Sequence, residues 1–220
     1  MLIGSLKLPD NSTEVADFAL LVGWALIKKD ITTRQQYSKM KIETTTHFTK
    51  QGHQIEVREA RIEDADGLIK CAKSYMKNGF IPLTEEEFNP TVTEHENWIR
   101  GFMENENNLL LVVEANGLII GNIDLTSHKR KMLSHTGFVG MGIHQDWQNQ
   151  GVGTIMIDIV KQWSNMNQNI EILWLQVFSN NLGGIHLYKK SGFIENGRQV
   201  KFIKTEDNQY IDNVIMTLNL

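Results

Sequence analysis

The sequence predicts an α+β fold, an α/β arrangement in which a mixed, mostly antiparallel, twisted sheet carries helices on both faces. Three observations predict it. From Ile55 onward the segments read in the order βααβββαβαββ. The stretch Phe138–Val177 is strand–helix–strand, and such a crossover is almost always right-handed and leaves its two strands parallel. Asn116-Gly117 between two β-runs signals a type I′ hairpin, so the strands before that crossover are antiparallel.

Each element has its own warrant. Ile55–Ala60 alternates as a strand does. Ile62, Ala65, Leu68, Ile69, Ala72, Tyr75 and Met76 recur at helical spacing. Thr93 opens the next helix, with Glu96 three residues on as a capping box. Leu109–Ala115 and Leu118–Thr126 flank the Asn-Gly turn, and Ser127–Ser134 is a basic loop. Phe138–His144 is a strand. Gly151–Asn165 is the strongest helix, with Val152, Ile155, Met156, Ile159, Val160 and Trp163 on one stripe. Ile172–Val177 is a continuous apolar strand, Asn181–Lys190 a short helix ending at Gly192, and Phe193–Lys204 and Tyr210–Leu218 close the sheet.

Residues 1–52 form an N-terminal extension expected to be helical, ahead of a domain at 53–220. Ser12 or Thr13 suits the cap of a helix reaching Lys28, a second helix starts at Thr32, and the Thr-rich run Lys41–Phe48 alternates weakly, as a strand would.

Composition narrows the function classes. With 220 residues, 41% apolar and 22% charged, the chain is an ordinary globular one, which excludes disordered and collagen-like readings. The single cysteine, Cys71, permits neither an internal disulfide nor a cysteine-based zinc site, and suits a reducing compartment. The seven histidines show no H-x-x-H or H-E-x-x-H pattern, so no metal is expected. Phe18–Ile27 is too short to span a bilayer, and Glu14 and Asp17 precede it where a signal peptide would be positive; no membrane association and a cytoplasmic location are expected. A net charge of −4 argues against a nucleic-acid partner. Charge is uneven, however. Seven Glu against one Arg fall between Thr84 and Asn108, whereas Ile27–Gln51 holds six basic residues against two acidic ones.

The chemistry points to Gln148-Asn149-Gln150-Gly151-Val152-Gly153-Thr154, between a strand and the strongest helix. Two glycines there let backbone approach a ligand closely. The first helical turn leaves unpaired N–H groups carrying partial positive charge, which together make an anion site suited to pyrophosphate. A Rossmann fingerprint would need a third glycine or other small residue three positions after Gly153, and a Walker A loop would need Gly-Lys-Ser/Thr; both are absent.

A second constellation stands downstream: V-F-S-N-N-L-G-G-I-H-L-Y-K-K-S-G-F, from Val177 to Phe193. With Gln148, Gly151 and Gly153 it resembles the GNAT superfamily of N-acetyltransferases, departing at Gly184, where the family pattern has Ala. The ending, Glu195-Asn196-Gly197-Arg198 and then Tyr210-Ile211-Asp212, resembles the branch that holds phosphinothricin, polyamine and ribosomal-protein acetyltransferases. The resemblance covers Gln54–Leu220.

The resemblance implies acetyl-CoA as co-substrate, held in a notch where the strands Phe138–His144 and Ile172–Val177 splay apart. Backbone of Met141 and Ile143 would pair with the pantetheine arm, with Gly142 alternating between them to leave little bulk. Backbone amides of Gln148, Asn149, Gln150, Gly151, Val152, Gly153 and Thr154 would hold the pyrophosphate. Asn181 would contact pantetheine, or simply cap its helix. Tyr188 would donate a proton or hydrogen bond to the departing sulfur. The base that deprotonates the amine stays open among Asp124, Glu114, His135 and His144. The loop Asn78–Thr93, with Phe80, Phe88 and Glu85–Glu87, would shape the acceptor site.

The expected function is transfer of the acetyl group to a primary amine of a small, amino-acid-like or polyamine-like molecule. The alternatives are a protein N-terminal or lysine acetyltransferase, favoured by an open groove, and a non-catalytic acyl-CoA-binding module. The basic stretch Lys28–Lys50 suits docking of a partner or of a second subunit in a homodimer.

Overall fold

The computed structural model describes residues 41–220. The two helices expected before residue 41 lie outside the described residues. The strands are β1 Thr45–Phe48, β2 Gln54–Glu59, β3 Leu109–Ala115, β4 Leu118–Ser127, β5 Thr136–Ile143, β6 Ile172–Phe178, β7 Ile194–Lys204 and β8 Tyr210–Asn219. They form one sheet in the order β1-β2-β3-β4-β5-β6-β8-β7. The helices are α1 Ala65–Met76, α2 Val92–Met103, α3 Val152–Met166 and α4 Leu182–Lys190. From β2 onward this is the expected order, and β5–β6 is the one parallel pairing among the described strands.

The hairpin β3–β4 turns at Asn116 and Gly117 with φ of 51° and 75°, the left-handed pair a type I′ turn requires. At the other end, β1 pairs with β2 from Thr45↔Val57 to Phe48↔Gln54. The boundary expected between residues 52 and 53 therefore falls inside the β1–β2 turn. Strand β1 is an edge strand with mostly exposed side chains, so its sequence carries little apolar alternation to announce it.

The central strand β3 is buried on both faces. Leu109, Leu111 and Val113 enter one core with Val152, Met156, Val160 and Trp163 of α3. Leu110 and Val112 enter the other with Ala65 and Leu68 of α1 and Ile99 and Phe102 of α2. Period-two alternation of strand side chains sorts these residues, and the continuous apolar run of β3 needs helices on both sides. One charge is buried at the β2 edge of this second core. Arg58, 8% exposed, makes a bidentate bond to Asp64 (2.7 and 2.8 Å) and a third to Glu114 (2.8 Å).

Helix α2 starts earlier than expected. Its N-cap is Thr91, whose hydroxyl accepts from Glu94 N–H while Glu94 accepts from Thr91 N–H. The sequence holds two overlapping T-x-x-E patterns, Thr91–Glu94 and Thr93–Glu96. Pro90 keeps Asn89 extended, so the helix begins at the first available cap. Thr91→Ala should cost about 1 kcal/mol, roughly 3 °C in Tm for a chain of this size, while Thr93→Ala should leave the melting curve unchanged. Equal losses in the two variants would return the cap to Thr93.

Strands β5 and β6 pair only through Thr136↔Ile172, Gly137↔Leu173 and Phe138↔Trp174. Beyond Phe138 they part, and β6 continues alongside β8. Among the described residues no helix is long and apolar enough to cross a membrane.

Candidate active site

The parting of β5 and β6 opens a cleft of about 960 Å³. At one end stands the turn into α3. Asn149 and Gly151 there take φ of 60° and 93°, and Gly151 is the N-cap of α3. Glycine alone adopts the second conformation without steric cost, and it leaves the first-turn N–H groups of α3 facing the cleft uncovered. The two glutamines of this turn are braces. Gln148 donates its side-chain amide to Ile143 O (2.9 Å), and Gln150, 7% exposed, donates to Asp146 O (2.7 Å). Neither offers a charge to a phosphate, so the helix terminus must supply the attraction from this segment.

Along the cleft wall runs β5. His144 N–H donates to Ile120 O across β4 (2.9 Å), so strand alternation turns the backbone groups of Ile143 and Met141 away from β4 and into the notch. Ile143 O is already taken by Gln148, which leaves its N–H and both groups of Met141 for an extended ligand.

The glycines between them make room on the α1 side. A Cβ at Gly142 would lie 2.1 Å from Cε1 of Tyr75, and one at Gly140 would lie 2.8 Å from Oδ1 of Asp124. Asp124 on β4 is the direct cross-strand neighbour of Gly140, so its carboxylate lies over bare backbone. Burial pushes the Asp124 carboxyl up to about 7. It raises the Tyr75 hydroxyl above its ordinary value as well, with smaller contributions from Cys71 and Asp124.

At the far wall Asn181 caps α4, its Oδ1 accepting from Gly184 N–H (2.9 Å). At Gly184, where the family pattern has Ala, a Cβ would come 2.9 Å from the Asn181 amide nitrogen. Tyr188 lines the cleft from α4, and burial pushes its hydroxyl up to about 12.

A second cavity of about 620 Å³ lies between α1, α2 and the loop 77–91. Phe88, Pro90, His95 and Trp98 line it, with Glu87 and Glu94. His95 lies 4.8 Å from Trp98, ring to ring, and burial lowers its pKa below the ordinary histidine value. Tyr75, Asn122 and Asp124 line both cavities, so the half-buried carboxylate stands where the two meet.

A family model for the acetyltransferase (GNAT) domain matches residues 57–215. The chain belongs to the GNAT family. An L-amino acid N-acetyltransferase of Escherichia coli (strain K12) is 27% identical over 110 residues, 48% of this chain and 65% of that protein. A GNAT-family acetyltransferase from Streptococcus pneumoniae superposes with a TM-score of 0.72 at 26% identity, covering 76% of this chain and 99% of that one. A ribosomal-protein-alanine N-acetyltransferase from Brucella melitensis, 16% identical, shares the fold with a TM-score of 0.65 over 74% and 99% of the two chains. The co-substrate of a GNAT acetyltransferase is acetyl-CoA, and the cleft suits it: a long notch with free strand edge on one side and a helix N-terminus at its end.

Of the residues expected to hold that co-substrate, Met141, Gly142, Ile143, Gln148, Asn149, Gly151, Gly153, Thr154, Asn181 and Tyr188 line the cleft. Gln150 and Val152 do not: one is locked on Asp146 O and the other, 1% exposed, is a core side chain. Only their backbone N–H groups remain for a ligand. Gly153 spaces two elements, since a Cβ there would lie 2.7 Å from Leu187 of α4. Of the four candidate bases, Asp124 lines the cleft and His135 does not; Glu114 is bonded to Arg58, and His144 Nδ1 accepts from Asp146 N–H (3.4 Å). Phe80 lines the cleft and Phe88 the second cavity. Tyr75 and Lys50 were not singled out from the sequence. Tyr75 sits in the apolar stripe of α1 like a core residue, and Lys50 lies outside the family match.

Proposed function

We propose that this GNAT domain transfers the acetyl group of acetyl-CoA to a primary amine of a small molecule that enters through the cavity between α1 and α2. The observation that carries the reading is Asp124, a half-buried carboxylate at the junction of that cavity with the co-substrate cleft. When bound, acetyl-CoA supplies an acetyl thioester. Asp124 takes a proton from the incoming ammonium, which frees the nitrogen lone pair to attack the thioester carbon. Tyr188 gives a hydrogen bond or its proton to the sulfur as the carbon–sulfur bond breaks. A carboxyl titrating at about 7 is half ionised at neutral pH and largely ionised at mildly alkaline pH, and it accepts a proton more readily than an ordinary carboxylate. Met141 and Ile143 hold the pantetheine arm by backbone bonds, and the α3 terminus holds the pyrophosphate. The buried, unpaired Cys71 suits a cytoplasmic enzyme.

The second cavity bears on the acceptor. Glu87, Glu94 and Asp124 line it, and among the described residues no lysine or arginine does. Part of the first two carboxylates is engaged in turn and cap bonds to Thr84 and Thr91. Aromatic walls beside acidic groups favour an amine with an apolar body and disfavour a free carboxylate. The E. coli relative acts, by its name, on L-amino acids. An acetyl-CoA turnover panel separates these acceptors: arylalkylamines, polyamines, L-phenylalanine, its amide and short peptides. We expect arylalkylamines and the amide of L-phenylalanine to exceed the free amino acid at least tenfold in kcat/KM. A preference for the free amino acid would defeat the charge argument, and turnover of peptides alone would defeat the small-molecule reading.

A further inference from the structure

The co-substrate cleft has a cation at its phosphate end, and it comes from a segment outside the family match. The turn between β1 and β2 is a built structure. Thr49, 5% exposed, donates its N–H to His53 O (2.9 Å), its hydroxyl accepts from His53 N–H (3.2 Å), and Gly52 closes the turn with φ of 83°. Two contacts fasten it to the cradle. Lys50 N–H donates to Gln150 O (2.8 Å), and the His53 ring meets Trp147 edge-on at 5.5 Å.

These contacts fix where the Lys50 side chain starts. Its stem runs over Gly151, where a Cβ would lie 3.4 Å from its Cγ and 3.7 Å from its Cε. The ammonium therefore projects from the lip of the turn whose left-handed glycine uncovers the α3 N–H groups, and Lys50 lines the cleft. Among the described residues no carboxylate pairs with it. The acid among the residues lining this cleft, Asp124, stands beside Gly140 on β5 instead. Of the cradle's polar side chains, the amide groups of Gln148 and Gln150 are spent on backbone carbonyls, and Asn149 and Thr154 carry no charge.

We propose that Lys50 is a cationic contact for the pyrophosphate of acetyl-CoA, supplied by the β1–β2 turn in place of a charge the cradle lacks. The proposal rests on the reading of this cleft as the acetyl-CoA site. It makes the β1–β2 turn, which precedes residue 57 where the family match begins, part of the co-substrate site.

Calorimetric titration of the full chain tests it, with CoA, dephospho-CoA and pantetheine as probes. Lys50→Met keeps the backbone bond to Gln150 and most of the stem, and should leave Tm unchanged. It should weaken CoA and dephospho-CoA by the same factor, roughly fivefold to tenfold, between an exposed ion pair and a hydrogen bond to a charged group. Pantetheine affinity should not change. Lys50→Glu should lose more, Lys50→Arg should restore most of the affinity, and the salt dependence of CoA binding should flatten in the Met variant. CoA affinity within twofold of wild type in Lys50→Met would overturn the proposal while the cleft keeps its ligand. Loss with CoA but not with dephospho-CoA would overturn it in favour of a 3′-phosphate contact. No CoA binding by the wild-type chain would remove the cleft assignment itself.

Discussion

Asp124→Asn should lower kcat by at least roughly 10²-fold and abolish its pH dependence. The change is nearly isosteric, so the Gly140 backbone beneath the side chain is undisturbed, and what is lost is the ability to accept a proton. Positioned bases contribute ~10²–10⁴-fold. In the wild type, burial holds the carboxyl at about 7, and it works as a base only when ionised. Activity should therefore climb with pH through about 7 and level off above it, until another group or the amine itself intervenes. The same shift has a stability sign. The folded-state pKa lies above the unfolded value, so between the two the folded chain binds more protons, and stability falls as pH rises through that window. The Asn variant escapes this penalty and should melt higher than wild type at pH 8, with the difference shrinking toward pH 4. Lower activity with higher stability is the signature of a group kept half-buried for chemistry. Wild-type kcat and an intact pH profile in Asp124→Asn would hand the base role to another group or to water.

The course of the chain from β2 onward was legible because its signals are local. The Asn-Gly turn, the apolar stripe of α3 and the glycine pair at its start each lie within a few residues of one another. The site was legible only where one motif carries it. Asp124 stood among four candidate bases that the sequence could not rank, and Tyr75 and Lys50 gave no signal; they reach the cleft from β4, α1 and the β1–β2 turn, which only the tertiary fold brings together. Gly140 and Gly142 announce bare backbone in the sequence but not what fills the space. The register Asp124↔Gly140 and the Tyr75 ring over Gly142 supply that. Gln150 could not be told from a ligand by its position, because its bond to Asp146 O depends on the fold of the preceding turn. Strand β1 escaped a firm reading for the opposite reason: an exposed edge leaves no pattern.

Tyr188→Phe should lower the single-turnover rate roughly 10²-fold and leave acetyl-CoA affinity nearly unchanged. The tyrosine is held by the end of its own helix. Gly192, with φ of 98°, follows the cap residue Ser191, and Phe193 N–H returns to Tyr188 O (3.0 Å) while Gly192 N–H bonds Lys189 O (3.1 Å). This is a Schellman motif, and the apolar contact that accompanies such motifs is here the Phe193 ring against Tyr188, 5.9 Å between centroids. The G-F that ends the motif thus orients the tyrosine four residues before the glycine. Burial pushes the phenol up to about 12, so it stays protonated and serves as a donor across the neutral range. A thiol with pKa about 8.5 is already a fair leaving group, which places the effect at the low end of ~10²–10⁴-fold. Phenylalanine keeps the ring and its contact with Phe193, so Tm should hold. A falling rate at constant affinity marks a bond made in the transition state. Single-turnover measurement matters because slow product release would hide a change in chemistry. An unchanged single-turnover rate in Tyr188→Phe would leave the hydroxyl without a catalytic part and Tyr188 as packing for Phe193.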